Sequence, residues 1–85
     1  MRILLTYHAQ MKSKQRAIPQ KCIQKVIEKP EKTEIDRFDS SLIHFISQVE
    51  SRYLRIIGKW LNKSDFLVVS VFFDRRLKKK GKKKC

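Results

Sequence analysis

His8, Lys12 and Arg16 follow one another at intervals of four residues. In a helix that spacing places all three on one face, close enough to address the same group. One titratable ring beside two fixed cations is a set suited to cleaving RNA without a metal. Such a reaction needs a group to take the 2′-hydroxyl proton, cations to hold the charge of the phosphorane, and an acid for the leaving oxygen. His8 can serve as base or acid, and Lys12 and Arg16 can hold the charge. The bland alternative is a solvated basic helix face.

Further along the chain, Tyr53, Arg55 and Lys59 alternate with Leu54, Ile56 and Trp60. In a strand this puts the first three on one face, and if the helices leave that face open it extends the cationic stripe. Arg55, in mid-strand between Leu54 and Ile56, is the more telling of the two cations. The competing reading makes it an edge-strand charge that prevents aggregation. Ser70 interrupts the apolar run of the last strand, either to hydrogen-bond a phosphate or as a small residue in a crowded core. His44, within Leu42-Ile43-His44-Phe45-Ile46, reads as a half-buried, hydrogen-bonded histidine rather than a catalyst.

The 85 residues carry 21 Lys+Arg against 8 Asp+Glu, a formal net charge of +13. Eight of the positive charges lie in the stretch from Arg75 to Cys85, among them Arg75, Arg76 and Lys78, and removing those eight from +13 leaves +5 on the body. A field of this sign attracts polyanions, and cations that neutralise phosphates gain affinity by counterion release. Nucleotide hydrolysis and dinucleotide binding are disfavoured, because the only glycines are Gly58 and Gly81 and no phosphate loop can be built from them. The acids do not cluster, so no metal and no cofactor is expected. Of the two cysteines, Cys22 falls in an apolar stripe and reads as core, Cys85 reads as a free thiol, and no structural disulfide is expected. The apolar stretch Ile3 to Leu5 is too short for a signal-peptide core, no run is long enough to span a bilayer, and a cytoplasmic protein is expected.

The elements that must position these residues form an α+β order. Arg2 to Thr6 predicts a short strand ending on a competent N-cap. Tyr7 to Arg16 lacks Gly and Pro and predicts a helix that stops near Ala17, before Pro19. Pro19 opens a second helix whose Cys22, Ile23, Val26 and Ile27 build one apolar face, and Lys29-Pro30 ends it. Four strands follow: from Thr33, from Leu42 to Val49, from Tyr53 to Trp60, and from Phe66 to Phe73. Their turns fall at Asp39-Ser40-Ser41 and Asn62-Lys63-Ser64-Asp65. The apolar run of the last fits a central strand covered on much of both faces. The expected fold is therefore a short strand and two helices on an antiparallel four-stranded meander. It forms a single domain over residues 1–76, followed by a disordered, lysine-rich tail over 77–85.

Thr6-Tyr7-His8-Ala9, Arg16-Ala17-Ile18, Val26-Ile27-Glu28-Lys29-Pro30, Tyr53-Leu54-Arg55-Ile56-Ile57 and Val69-Ser70-Val71-Phe72 carry a resemblance that spans the chain up to Arg76. The pattern resembles a small bacterial and archaeal family of unknown function. Its members open T-x-HA, continue RM-x-x-RGI and close on a strand ending in a TVY-like tripeptide. That family is grouped with RelE-like and BrnT-like toxins and is often encoded beside a small antitoxin-like partner. The resemblance implies a RelE/barnase-type fold, with His8 and Arg16 in the family's histidine and second-arginine positions and Arg55 at a strand position that is often basic or polar. Lys12 and Ser13 stand where the family has Arg and Met, Ala17 replaces Gly, and Ser70 replaces Thr. Lys12 keeps the charge but gives up a bidentate grip on phosphate.

Three functions fit these residues. The first is a toxin-type, metal-independent endoribonuclease acting on RNA, free or on the ribosome, and restrained by an antitoxin. In it His8 transfers protons and Lys12, Arg16 and Arg55 hold phosphate, with Tyr53, Lys59, Ser70, Arg75, Arg76 and Lys78 extending the nucleic-acid surface. The second is a binding module that uses the same residues without catalysis. The third is attachment of the basic tail to anionic membrane surfaces.

Overall fold

Why the chain folds as it does is clearest at its caps and turns. The computed structural model describes residues 1–77. Thr6 ends β1 (Arg2–Leu5) and caps α1 (Tyr7–Gln15): its hydroxyl oxygen accepts from the Ala9 N–H at 3.1 Å. The same hydroxyl donates to the Val69 carbonyl at 3.2 Å, so one residue starts the helix and seats it on the last strand. A two-turn motif closes α1, with Ala17 N–H donating to the Lys14 carbonyl and Ile18 N–H to the Ser13 carbonyl. This is the Schellman arrangement, and it requires a left-handed residue, here Ala17 at φ 54°. After α2 (Gln20–Glu28) come β2 (Lys32–Ile35), β3 (Ile43–Val49), β4 (Arg52–Trp60) and β5 (Asp65–Phe73).

The five strands form one mixed sheet in the order β1-β5-β4-β3-β2. Strands β2 to β5 make the expected antiparallel meander, and β1 extends it by pairing parallel to β5, with Leu5 opposite Val68. A paired guanidinium–carboxylate contact fixes that pairing, Arg2 Nε and Nη2 lying 3.1 and 3.0 Å from the Asp65 carboxylate. Both helices pack on one face. The core there joins Ala9, Ile18, Ile23, Val26 and Ile27 to Phe45, Leu54, Ile56, Phe66, Val68 and Val71.

Two features explain patterns that periodicity alone could not. The register between β4 and β5 slips at Ile57/Gly58, so that Gly58 faces Val68 while Ile57 faces Ser70 and Val69 is the extra residue. Phe66 and Val68 therefore reach the helix side on one parity and Val71 on the other, which gives an apolar run broken only by Ser70. Gly58 itself makes room for Phe66: a Cβ there would come within 2.5 Å of Phe66 Cε2. Phe45 and Trp60 meet the same ring edge-on, with centroids at 5.4 and 5.1 Å.

Cys22 is buried, as the apolar stripe predicts. Its sulfur is nonetheless disulfide-bonded, which corrects the expectation that no structural disulfide forms. The tail from Lys78 onward, including Cys85, lies outside the described residues. Among those described, no helix is long and apolar enough to cross a membrane.

Candidate nucleic-acid interface

α1 buries only Ala9, so most of its length, including the basic face, stays at the surface beside β5. β1 runs out at Leu5 opposite Val68, and among the described residues the far half of β5 has no strand neighbour on that side. There, Lys12 and Arg16 of α1 meet Ser70, Phe72 and Phe73 of β5 and Arg75 just beyond it, around a cleft of about 520 Å³. Four residues singled out in the sequence thus come together: Lys12, Arg16, Ser70 and Arg75. Ser70 is half-buried on the cleft wall, outside the helix-side core. Among the described residues none of the three cations is ion-paired to a carboxylate.

Phe73 and Arg75 also line a second cleft, which continues from the first around the end of the sheet and includes Arg52, Tyr53 and Leu77. Tyr53 therefore joins the same surface. His8 is exposed one turn before Lys12 and does not line either cleft.

Arg55 has a different fate. β4 is the middle strand of the sheet, so Arg55 is neither at an edge nor in the cationic cleft. Its guanidinium is buried and committed: Nε donates to Asp74 at 2.9 Å, and Nη1 to Glu34 at 3.1 Å and to His44 Nδ1 at 2.7 Å. Because a guanidinium only donates, His44 Nδ1 must accept. The ring proton then sits on Nε2, which donates to Asp36 Oδ1 at 2.7 Å. Both ring nitrogens are occupied, and His44 has none left for a substrate. It is the hydrogen-bonded, half-buried histidine that its surroundings in the sequence suggest.

Asp74, 4 % exposed, is the anchor of this network. Arg76 grips it with Nε and Nη2, each at 3.0 Å, and with its backbone N–H, while Arg55 donates from the sheet. Together these contacts, those of Arg76 first, hold the Asp74 carboxyl far below the usual range despite its burial. Hydrogen bonding to His44 and to the Phe38 and Asp39 N–H groups lowers Asp36, and Lys32 and then Arg55 lower Glu34. The cleft here carries three carboxylates, Glu34, Asp36 and Asp74, against Arg37, Arg55 and Arg76. Charge balance of that kind does not favour a polyphosphate, so Arg55 and Arg76 are structural cations. Lys59, half-buried on β4, acts on the loop before β3: the Asp39 carboxyl is lowered first by hydrogen bonds from Ser41 and further by the Lys59 charge. Lys78 lies outside the described residues.

Sequence reasoning missed two features. Arg52, the first residue of β4, lies with its guanidinium carbon 3.6 Å from the Phe73 ring centroid. The pair is far apart in sequence and meets only because Leu54 registers with Phe73, so no local pattern could announce it. The second is Phe38, 94 % exposed on a loop pinned by the Asp36 and Asp39 carboxylates. No family model, no curated protein and no solved structure matches this chain, and the toxin-family resemblance stands on the quoted residues alone.

Proposed function

We propose that the protein binds nucleic acid through the phosphate backbone, with RNA as its ligand, and that Lys12, Arg16 and Arg75 form the phosphate cradle. The observation that carries this reading is the convergence on one cleft of three cations that have no ion pair among the described residues, on a chain whose net charge is +13. Cations with no internal carboxylate keep their full affinity for phosphate, whereas Arg55 and Arg76 already have partners.

The test is RNA binding measured by fluorescence anisotropy over a series of salt concentrations. Replacing both Lys12 and Arg16 by alanine is expected to weaken binding and to flatten the dependence of log K on log salt by about 0.7 per lost contact for a single strand. An unchanged slope in that variant would remove the cradle.

A second reading, a metal-independent endoribonuclease with a RelE/barnase-type fold, rests on exposed His8 lying one turn before Lys12. His8 would accept the 2′-hydroxyl proton as that oxygen bonds to phosphorus, the cradle would hold the phosphorane charge, and the 5′-oxygen would leave with a proton taken from water. In this reading an acidic antitoxin would compete for the same cations, and the protein would act in the cytoplasm, where thiol buffers would reduce the Cys22 disulfide. Incubation of total RNA with the protein in EDTA, with and without ribosomes, separates the two. Cleavage abolished by His8→Ala supports the enzyme, and binding without cleavage leaves the module.

A further inference from the structure

The second cleft carries information about which form of nucleic acid fits. At 3.6 Å the Arg52 guanidinium is in stacking contact with Phe73. One face of the planar cation is covered by the ring, and the residue as a whole is exposed with no carboxylate partner among the described residues. A guanidinium held in this way presents its outer face as a platform for another flat π-system, and nucleobases stack on arginine planes as they do on aromatic rings. The platform borders the cleft that shares Phe73 and Arg75 with the phosphate cradle, so a base and its neighbouring phosphates can be engaged together.

We propose that Arg52 and Phe73 form a base-stacking platform and that the ligand is therefore single-stranded. The inference rests on the phosphate-cradle reading and adds to it the exclusion of duplex. In a duplex the base faces are covered by their neighbours, and only the backbone would remain to be held. A single strand can turn one base onto Arg52 while its phosphates run along Lys12, Arg16 and Arg75.

Anisotropy titrations of the full chain with one labelled oligonucleotide as single-stranded RNA, as the same sequence in DNA, and as blunt RNA duplex test this directly. Arg52→Lys keeps the charge and removes the plane. It is expected to reduce affinity for single-stranded RNA about tenfold, to leave duplex binding unchanged, and to leave the salt slope unchanged. Equal loss on single-stranded DNA supports the platform and shows that the 2′-hydroxyl is not read. Loss confined to RNA supports it and assigns a 2′-hydroxyl contact. Duplex binding as tight as single-strand binding, or undiminished affinity in Arg52→Lys, overturns the platform while the cradle stands if Lys12→Ala/Arg16→Ala still weakens binding. Failure of every nucleic acid to bind, with capture of a poly-glutamate peptide instead, overturns both. Circular dichroism and a thermal melt of each variant confirm that the fold is intact before affinities are compared.

Discussion

Arg55 and Arg16 carry the same charge in opposite circumstances, and the difference decides what each can do. Arg16 ends α1 at the surface with no ion pair to a carboxylate among the described residues, whereas Arg55 is 6 % exposed and bonded to Asp74, Glu34 and His44. Removing a buried partner leaves its counter-charge stranded, which costs about 3–5 kcal/mol. Arg55→Ala is therefore expected to lower the urea unfolding free energy by up to about 3 kcal/mol, at the low end because Asp74 keeps Arg76 while His44 Nδ1 and Glu34 each lose a donor. The folded fraction should bind RNA as tightly as the parent, since Arg55 is outside the cradle. A large loss of affinity with little loss of stability would instead return Arg55 to the binding surface. From sequence the two arginines could not be told apart. The acids that hold Arg55, Glu34 and Asp74, are 21 and 19 residues away and reach it only across the folded sheet.

At the scale of elements the end of α1 sets where Arg16 sits. Ala17 supplies the left-handed turn at φ 54°, a conformation in which an L side chain costs about 1–2 kcal/mol. Glycine is free of that cost but gives up more backbone entropy on folding, by roughly 0.5–1 kcal/mol. Ala17→Gly is thus expected to stabilise the protein by up to about 1 kcal/mol, readable as a higher melting temperature, without changing RNA affinity. A lower melting temperature would mean that the Ala17 methyl makes packing contacts worth more than the strain. Local signals made these elements legible: Thr6 as a cap, Pro19 as a helix opener, and the period-two strands all lie within a few residues of what they control. The parallel seating of β1 on β5 was not legible, because the contact joins Arg2 to Asp65 across almost the whole chain. The same distance hid the cleft, whose cations come from α1 while its floor comes from β5. Spacing alone put His8, Lys12 and Arg16 on one stripe, but the end of β1 and the free edge of β5 select Lys12 and Arg16 from it.

Over the whole molecule the charges fall into two populations with different dependence on solution conditions. Paired carboxylates hold the fold. Asp74, Asp36 and Glu34 all ionise more readily in the folded state than their ordinary values allow. A group of that kind contributes stability at any pH above its unfolded value and loses it as pH falls towards the folded one. Stability from this source should be flat from neutrality to about pH 5 and decline below about pH 4, as urea melts across that range would register. A decline already present between pH 7 and 5 would point to a different group. The cations of the proposed cradle, by contrast, would govern affinity in that reading and respond to salt. Six lysines lie between Lys78 and Lys84, and removing six from +13 still leaves +7 on the remainder. If the cradle is the specific site, replacing those six lysines by glutamine should lower affinity for every RNA by a similar factor and flatten the salt dependence. The single-strand preference and the penalty of Arg52→Lys should both persist, because they arise on the folded body. A variant that instead loses all RNA binding would make the lysine run the principal contact and reduce the cleft between α1 and β5 to an accessory surface.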